Sequence, residues 1–219
     1  MKKLLYISIL SIVFLAACAA PDSSGPPDTL KRYQPNELRE YNGTHLDPAI
    51  APVENSITGV QAVDISTYML TIDGLVQTPK QFTYADVTAM PAETKLVTLT
   101  CVEGWDITVL WKGVLMADLL NAASVKPEAK TVIFHAIDGY TTSLPLKEIL
   151  DGKLMLAYGA NGLPLPPEMG YPFIFVAEGK WGYKWARWVN RIELSADTNY
   201  FGYWEQYGYS NEGNVTPKP

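Results

Sequence analysis

The apolar residues of this chain occur in short runs, and turn-forming residues separate one run from the next. Six runs of five to seven residues are apolar or alternate as strands do. Three segments have helical features, and they do not alternate regularly with the strands. The pattern therefore predicts an α+β fold, a single domain of mixed or antiparallel sheets with short helices. The predicted strands span 67–72, 95–101, 131–137, 154–158, 173–177 and 188–194, and the predicted helices span 83–90, 116–123 and 146–150.

Composition limits the class of protein. The chain has 219 residues, of which 47% are hydrophobic and 18% are charged, so it is able to bury a core and is unlike a disordered protein. Its formal net charge of −6 argues against a nucleic-acid partner, since phosphate binding needs a basic surface. Two cysteines and two histidines exclude a disulfide scaffold and a three-histidine metal site.

The N-terminus has the features of an export signal. A positive start, Met1-Lys2-Lys3, precedes 14 uncharged residues, 4–17, a run shorter than a membrane-spanning helix of about 20 residues. The run ends Leu15-Ala16-Ala17-Cys18, which resembles the lipobox of bacterial-type lipoproteins, where the peptide is cut before a cysteine that then carries lipid. The alternatives are an ordinary signal peptide with a chance cysteine and an uncleaved anchor.

The chain therefore divides into four predicted parts. We expect a lipoprotein signal peptide at 1–17 and lipid on Cys18, which places the protein outside the cytoplasm, in the cell envelope, anchored to a membrane. Residues 18–55 are rich in turn-forming and polar residues and predict a tether. The folded domain is predicted at 56–210, with the aromatic segment 200–209 packed over it as a cover, and a flexible tail at 211–219.

Cys101 is then the single cysteine of the mature chain, at the end of a predicted strand and before a turn. The carboxylates of Glu103 and Asp106 raise the pKa of a nearby thiol, so this is a poor setting for an activated nucleophile. His135, within a predicted strand, is a poor base for a cysteine-dependent acyl-transfer enzyme. An inert core cysteine is one of the two leading interpretations. A metal ligand is the other, because a metal deprotonates a thiol outright even where the surroundings raise its pKa.

A second candidate site is the segment G-K-W-G-Y-K-W-A-R at 179–187. It contains Lys180, Lys184 and Arg187 in a chain that has few basic residues. Gly179 and Gly182 let a ligand approach the backbone closely, and lysines beside accessible backbone N–H groups suit a phosphate. A solvated basic turn is the alternative.

Four separate blocks resemble the sulfite oxidase superfamily, that is, the oxidoreductase molybdopterin-binding domain. The context C-V-E-G-W is closer to the periplasmic methionine sulfoxide reductase catalytic-subunit branch than to sulfite oxidases proper. The resemblance extends over about 56–194, in the family's order and spacing. The blocks are T-L-T-C-V-E-G-W with W-K-G-V beyond it (98–105 and 111–114), D-G-Y-T-T-S-L-P (138–145), A-Y-G-A-N-G-L-P-L-P-P-E-M-G-Y-P (157–172) and G-K-W-G-Y-K-W-A-R-W-V-N-R-I-E-L (179–194).

The resemblance implies a sulfite-oxidase-type fold and a molybdenum-molybdopterin cofactor. It implies that Cys101 ligates the molybdenum, a metal that soft sulfur ligands suit. It also implies catalytic roles for Tyr140, which aligns with a tyrosine facing the metal, and for Glu103, which follows the metal cysteine. The residues implied to hold the pterin or its phosphate are Asn55, Lys180, Gly182 and Lys184.

The implied activity is oxygen-atom transfer to or from a small substrate, such as a sulfoxide. Electrons are expected from a separate redox protein, because the chain has no haem motif. The chain carries Asp106 and no arginine between Cys101 and Lys112, so its acidic rim argues against an anionic substrate such as sulfite.

Three departures from the family favour an alternative, a non-catalytic lipoprotein that keeps the fold as a binding or interaction module. Ile174 stands where the family commonly has an arginine at the pterin, and Met169 stands where it often has a histidine or an asparagine. Lys2-Lys3 is not the twin-arginine signal of enzymes that are exported folded with their cofactor. The retention of the cysteine and of both lysines favours the enzyme.

Overall fold

The computed structural model describes residues 33–215. The predicted signal peptide, Cys18 and the first part of the predicted tether lie outside the described residues, and so do residues 216–219. Within 33–215, no helix is both long enough and apolar enough to cross a membrane.

The described region is built mainly from short strands. The strands are β1 (Glu40–Tyr41), β2 (Thr44–His45), β3 (Leu70–Gly74), β4 (Lys80–Phe82), β5 (Glu93–Thr100), β6 (Asp106–Leu115), β7 (Thr131–Ala136), β8 (Thr141–Pro145), β9 (Met155–Ala160), β10 (Leu163–Pro164), β11 (Ile174–Val176) and β12 (Val189–Ser195). The helices are α1 (Tyr84–Thr88), α2 (Met116–Ala123) and α3 (Leu146–Asp151), with 3₁₀ turns at Pro167–Met169, Gly182–Lys184 and Glu205–Tyr207.

Two five-stranded sheets form the body of the domain. In the first sheet β10, β9, β6 and β5 are adjacent in that order, β11 also pairs with β9, and all pairings are antiparallel. In the second sheet the order is β4-β3-β12-β7-β8, and β12 is parallel to β3. The predicted α+β fold with mixed or antiparallel sheets is therefore confirmed.

The two sheets share one apolar core. Phe134 of β7 stacks on Phe175 of β11, with ring centroids 3.8 Å apart. Trp111 of β6 is fully buried, and its Nε1 donates to the carbonyl of Val97 at 3.1 Å. The phenylalanine stack joins the two sheets, because aromatic side chains bury large apolar areas, and the buried tryptophan ties β6 to β5 within the first sheet.

The helices lie where the sequence predicts them. α1 follows a capping box: the Thr83 side chain accepts from the Asp86 N–H at 3.1 Å, and the Asp86 carboxylate accepts from the Thr83 N–H at 2.8 Å. α2 has the predicted bounds and buries its apolar face against the core. It ends at Ser124, which has a left-handed backbone with φ 56°.

The folded region begins before the predicted boundary at residue 56. Leu46 and Ala49, in the predicted tether, are fully buried against the domain. The Glu37 carboxylate accepts from the Ala49 N–H at 2.7 Å and from Asn161 Nδ2 at 2.9 Å. Residues 33–55 are therefore part of the folded body.

The folded region also extends past residue 210. The Val215 N–H donates to the Gly179 carbonyl at 3.0 Å, and Asn214 pairs with Lys180 in an isolated β-bridge. Turn-forming and polar residues occur both in linkers and in ordered segments that hydrogen-bond to a domain. Composition alone therefore misplaces both boundaries.

Candidate active site

Cys101 lies directly after β5, in the tight turn that leads into β6. The Cys101 N–H donates to the Trp105 carbonyl at 2.9 Å, and the Gly104 N–H donates to the Cys101 carbonyl at 3.1 Å. Gly104 has φ +93°, a backbone conformation that favours glycine. The turn thus places the cysteine side chain at the end of the sheet.

The thiol faces a cleft of about 930 Å³, a volume that includes its open mouth. Cys101 itself is only 5% exposed, so it lies at the base of this cleft. The walls are largely aromatic, which suits a ligand with flat or apolar parts. The aromatic residues that line the cleft are Trp105, Tyr140, Tyr183, Trp185, Trp188, Trp204 and Tyr209.

Glu103 is the polar partner of the thiol. Its Oε2 accepts from Cys101 Sγ at 3.4 Å, from Trp105 Nε1 at 3.1 Å and from Asn55 Nδ2 at 3.4 Å. Asn55 Nδ2 also lies 4.0 Å from Cys101 Sγ. Three residues predicted from the sequence therefore meet at one point.

Burial, with the negative charge of Glu103 as a further cause, raises the pKa of the Cys101 thiol to about 11. The thiol is then protonated at neutral pH. This removes the nucleophile that an acyl-transfer enzyme needs, and His135 does not line the cleft but contacts Glu193 at 2.9 Å. The acyl-transfer interpretation has no support in this geometry.

Tyr140 lines the cleft, as the family resemblance implies, and is 9% exposed. Its hydroxyl donates to the carbonyl of Tyr183, and its N–H donates to Asp138 Oδ1 at 3.0 Å. Burial raises the pKa of its phenol well above the ordinary value, so the hydroxyl stays protonated. In this arrangement Tyr140 holds the Gly182–Lys184 turn in place.

Gly182 lies against the cysteine. A side chain there would begin 3.7 Å from Cys101 Cα and 3.5 Å from the Thr100 carbonyl, and Trp181 forms a parallel β-bridge with Thr100. The predicted basic segment therefore runs beside the metal-ligand candidate, and Gly182 lines the cleft.

The two lysines of that segment do not line the cleft. Lys184 is fully buried, and its ammonium donates to the Glu205 carboxylate, to the Ser143 carbonyl at 3.0 Å and to Asn211 Oδ1 at 3.3 Å. Burial lowers the pKa of this ammonium, and the charge of Glu205 opposes that effect.

Lys180 is likewise turned away from the cleft and is 3% exposed. Its ammonium is paired with Glu148 and donates to the Glu212 carbonyl at 2.9 Å and to Asn214 Oδ1 at 2.6 Å. The prediction that both lysines hold a phosphate is not supported by these positions, because carboxylates and the C-terminal chain already occupy their ammonium groups.

Arg187, the last residue of the predicted basic segment, lines the cleft, although the family resemblance assigns no cofactor role to it. Its guanidinium donates to both oxygens of Glu54 at 3.2 Å, to Asn55 Oδ1 at 3.1 Å and to the Glu168 carbonyl at 2.8 Å. It lies 4.6 Å from the ring centroid of Trp188, a cation–π distance. A basic group is thus present at the cleft, contributed by a different residue from those predicted.

Trp188, the next residue, has a left-handed backbone with φ 51°. Such a conformation is rare for a bulky residue and persists only where the surroundings enforce it. The indole is 1% exposed, and its Nε1 donates to the Pro167 carbonyl at 2.9 Å. The indole that contacts the Arg187 guanidinium is thus held firmly in the wall of the cleft.

Ile174 and Met169, the two departures from the family pattern, also line the cleft. They are 0% and 2% exposed, respectively, and belong to the main apolar core. At these two positions the wall of the cleft is therefore apolar and tightly packed, where the family pattern has polar side chains.

Comparisons with known proteins identify the family of this chain. Residues 57–204 match the family described as the oxidoreductase molybdopterin binding domain. The uncharacterized oxidoreductase YuiH of Bacillus subtilis is 38% identical over 152 residues, which are 69% of this chain and 76% of that protein. The protein-methionine-sulfoxide reductase catalytic subunit MsrP of Gluconobacter oxydans is 29% identical over 177 residues, which are 73% of this chain and 54% of that protein.

A solved structure is similar over most of the chain. The sulfane dehydrogenase SoxCD from Paracoccus pantotrophus matches with a TM-score of 0.61 and 25% identity, over 85% of this chain and 57% of that chain. The family match covers well over half of the chain and includes the turn of Cys101, Tyr140 and the segment of Arg187. The chain therefore belongs to the oxidoreductase molybdopterin-binding domain family of the sulfite oxidase superfamily, a family of oxidoreductases that use a molybdenum-molybdopterin cofactor.

Proposed function

We propose that this chain is a membrane-tethered molybdenum-pterin oxidoreductase that transfers an oxygen atom to or from a small neutral substrate, such as a sulfoxide. A separate redox protein supplies or accepts the electrons. The observation that carries the proposal is the position of Cys101, a single thiol at the base of an aromatic cleft.

The residues of the cleft fit the cofactor. Cys101 offers a soft sulfur ligand, which suits molybdenum better than carboxylates do. Arg187 and Asn55 offer guanidinium and amide groups, and the absence of a side chain at Gly182 leaves backbone accessible beside the cysteine. Cys101 would hold the metal, and Arg187, Asn55 and the backbone at Gly182 would contact the pterin.

Glu103 is placed to help Cys101 become a ligand. A metal binds the thiolate, so loading must remove the proton that the thiol carries at neutral pH. The carboxylate that accepts the hydrogen bond from Sγ at 3.4 Å is the nearest group able to receive this proton. Once bound, the cofactor supplies the two-electron redox chemistry of oxygen-atom transfer.

Charge around the cleft favours a neutral substrate. Glu103 and Asp138 line it, and the one arginine among its lining residues is paired with Glu54 through both carboxylate oxygens. An anion such as sulfite therefore approaches an acidic site without an uncompensated positive charge. A sulfoxide or another uncharged molecule meets no such repulsion.

Location in the cell envelope is supported by the N-terminal sequence. The 14 uncharged residues before Cys18, with Leu15-Ala16-Ala17 directly ahead of it, have the form of a lipoprotein signal. The MsrP relative is a catalytic subunit, which supports the existence of a separate partner protein for this chain too.

Metal and pterin analysis tests the enzymatic part of the proposal. The full chain, expressed in a host that makes the cofactor, is expected to contain about one molybdenum and one pterin and to reduce dimethyl sulfoxide with a reduced viologen dye as electron donor. Cys101→Ser is the matched control and is expected to lack both metal and activity. Wild-type protein with neither molybdenum nor pterin would overturn the proposal in favour of a binding module.

Labelling with a radioactive fatty acid tests the tether. The wild-type chain is expected to incorporate label and to fractionate with membranes, whereas Cys18→Ser is expected to do neither. Label in the Cys18→Ser variant, or wild-type protein without label, contradicts the predicted anchor.

A further inference from the structure

The C-terminal segment, residues 202–215, contributes two aromatic rings to the cleft. Trp204 and Tyr209 both line it, and their ring centroids lie 5.5 Å apart. Tyr209 also meets Tyr183 edge-on at 5.2 Å and is 38% exposed, whereas Cys101 is 5% exposed. The two rings thus form a wall that reaches from the interior to the mouth of the cleft.

The first half of this segment is fixed by a buried ion pair. Both side chains of the Lys184–Glu205 pair are 0% exposed. Glu205 also accepts from Thr142 Oγ1 at 3.0 Å. Gly202 permits this close docking, because a side chain there would begin 2.4 Å from the Thr141 carbonyl. Since a buried pair tolerates little displacement, the pair fixes the position of Trp204, the neighbour of Glu205.

The second half is fixed around Lys180 and Tyr183. The Lys180 ammonium donates to the Glu212 carbonyl at 2.9 Å and to Asn214 Oδ1 at 2.6 Å. The Tyr183 hydroxyl donates to the Ser210 carbonyl at 2.8 Å, directly after Tyr209 in the chain. The basic segment therefore holds both ends of the C-terminal segment.

We propose that Trp204 and Tyr209 determine substrate specificity by packing on the apolar group of the substrate, and that Lys184 and Lys180 are positioning residues for this wall. The inference rests on the proposed function and adds a substrate class: neutral sulfoxides or sulfides with an aromatic or branched apolar substituent. A cofactor held by Cys101 would fill the base of the cleft, and a substrate would then enter past the ring of Tyr209, which is 38% exposed. Flat aromatic rings favour apolar and aromatic groups, and the nearby carboxylates disfavour anions.

The test compares two substrates of different apolar size, methyl phenyl sulfoxide and dimethyl sulfoxide. Trp204→Ala and Tyr209→Ala are expected to lower kcat/KM for the phenyl substrate by about tenfold, mainly through KM, because a lost apolar contact typically changes discrimination by that order. Activity with dimethyl sulfoxide is expected to stay within about twofold. Phe201→Ala is the matched control, since Phe201 directly precedes this segment, is 52% exposed and does not line the cleft.

Two further measurements separate the wall from the cofactor and from the reaction itself. Molybdenum content is expected to be equal in all four proteins, and its loss in Trp204→Ala or Tyr209→Ala would mean that the wall holds the cofactor, which overturns the inference. Equilibrium binding of methyl phenyl sulfide needs no turnover and is expected to weaken in the same two variants. If the wild type reduces neither sulfoxide, the proposed function fails, and the sulfide titration still decides the inference.

Lys184→Met tests the positioning role. It is expected to reduce the preference for the phenyl substrate as Tyr209→Ala does, with molybdenum retained. Loss of molybdenum with unchanged binding of methyl phenyl sulfide would instead make Lys184 a cofactor ligand and contradict the inference. If Lys184→Met does not fold, the double variant Lys184→Met/Glu205→Leu, which leaves no buried charge behind, is measured in its place with the same two expectations.

Discussion

The cleft around Cys101 and the lysine pair behind it both contain residues of the 179–187 segment, yet their polar groups are partnered differently. At the cleft, Cys101 Sγ has two polar neighbours, Glu103 Oε2 at 3.4 Å and Asn55 Nδ2 at 4.0 Å, and it faces open space. Behind it, the three donors of the Lys184 ammonium have three acceptors within 3.3 Å, and the side chain is fully buried.

The cleft is open to an external ligand, whereas the hydrogen-bonding capacity of the Lys184 ammonium is already taken up by other residues of the same chain. A buried lysine whose donors are all used has no capacity left for a phosphate, whereas the open cleft still has room for a ligand. The most basic stretch of the sequence is therefore a structural anchor for the most part, and its last residue, Arg187, is the one that lines the cleft.

The largest expected effect is at the cleft, where Cys101→Ser removes the candidate metal ligand. We expect molybdenum to fall to background and activity to fall by more than the about 10–100-fold that loss of an outer-shell partner costs. Elemental analysis and the viologen assay measure both quantities. The comparison breaks if the serine variant keeps its metal, because the cleft would then bind the cofactor without its single thiol.

At the lysine pair we expect an effect on stability. Lys184→Met leaves the Glu205 carboxylate buried without its cation, which typically costs about 3–5 kcal/mol in the free energy of unfolding. Urea unfolding of the full chain measures this cost. Lys147→Met is the matched control, because the Lys147–Asp151 pair is 86% and 63% exposed and is expected to contribute only about 0.3–0.5 kcal/mol. A loss below about 1 kcal/mol for Lys184→Met would show that the anchor is not structural.

Replacing Glu103 by glutamine sharpens the account of the cleft. The amide has the same shape as the carboxylate, but it is a weaker acceptor for the thiol proton. It also lacks the negative charge that strengthens the hydrogen bonds from Trp105 and Asn55. We expect a fall of about 10–100-fold in metal retention or activity, the usual cost of an altered outer-shell partner. Unfolding by urea is expected to be unchanged, and a large loss of stability instead would make Glu103 a structural residue like Glu205.

The smallest expected effect concerns Glu54, the partner of Arg187. Burial raises the pKa of the Glu54 carboxyl, but hydrogen bonds from Ser56 and the charge of Arg187 outweigh it, so the pKa lies below its ordinary value of 4.5. A lowered pKa gives stability that is present above pH 4.5 and is lost as the pH falls through the folded-state value. Relative to Glu54→Gln, the wild type is therefore expected to be more stable at pH 6 by at most about 1 kcal/mol, because the pair is partly exposed.

Thermal unfolding of the two proteins between pH 3 and pH 7 measures this difference. The advantage of the wild type is expected to shrink below pH 4.5 and to be constant above pH 6. A difference that does not depend on pH would mean that the Glu54 charge does not contribute to stability.

Local features of the sequence predict most of the fold. The bounds of α2 and the capping box of Thr83 and Asp86 depend on neighbouring residues, and both are confirmed. β6, the longest strand, is not predicted, because Lys112 and Gly113 interrupt its apolar pattern. In the structure, Gly113 is needed where β9 approaches so closely that a side chain would begin 2.2 Å from the Leu156 carbonyl.

The site is predicted in part for a similar reason. Cys101, Glu103 and Tyr140 lie in turns that their own sequence neighbourhood defines, and all three line the cleft. The roles of Lys184 and Arg187 depend on partners far away in the chain. Lys184 forms a buried ion pair with Glu205, and Arg187 forms an ion pair with Glu54. A single sequence does not show which of several nearby cations will find such a partner.

The docking of residues 33–55 on the domain limits how far an anchored protein can reach. The folded body includes residue 33, so only the 14 residues at 19–32 separate it from Cys18. At about 3.3–3.6 Å per residue, this stretch spans no more than about 50 Å even when fully extended. Lipid on Cys18, as proposed, would confine the cleft to a thin layer above the membrane. A redox partner embedded in that membrane would then meet the enzyme at a high effective concentration without needing a tight binding surface.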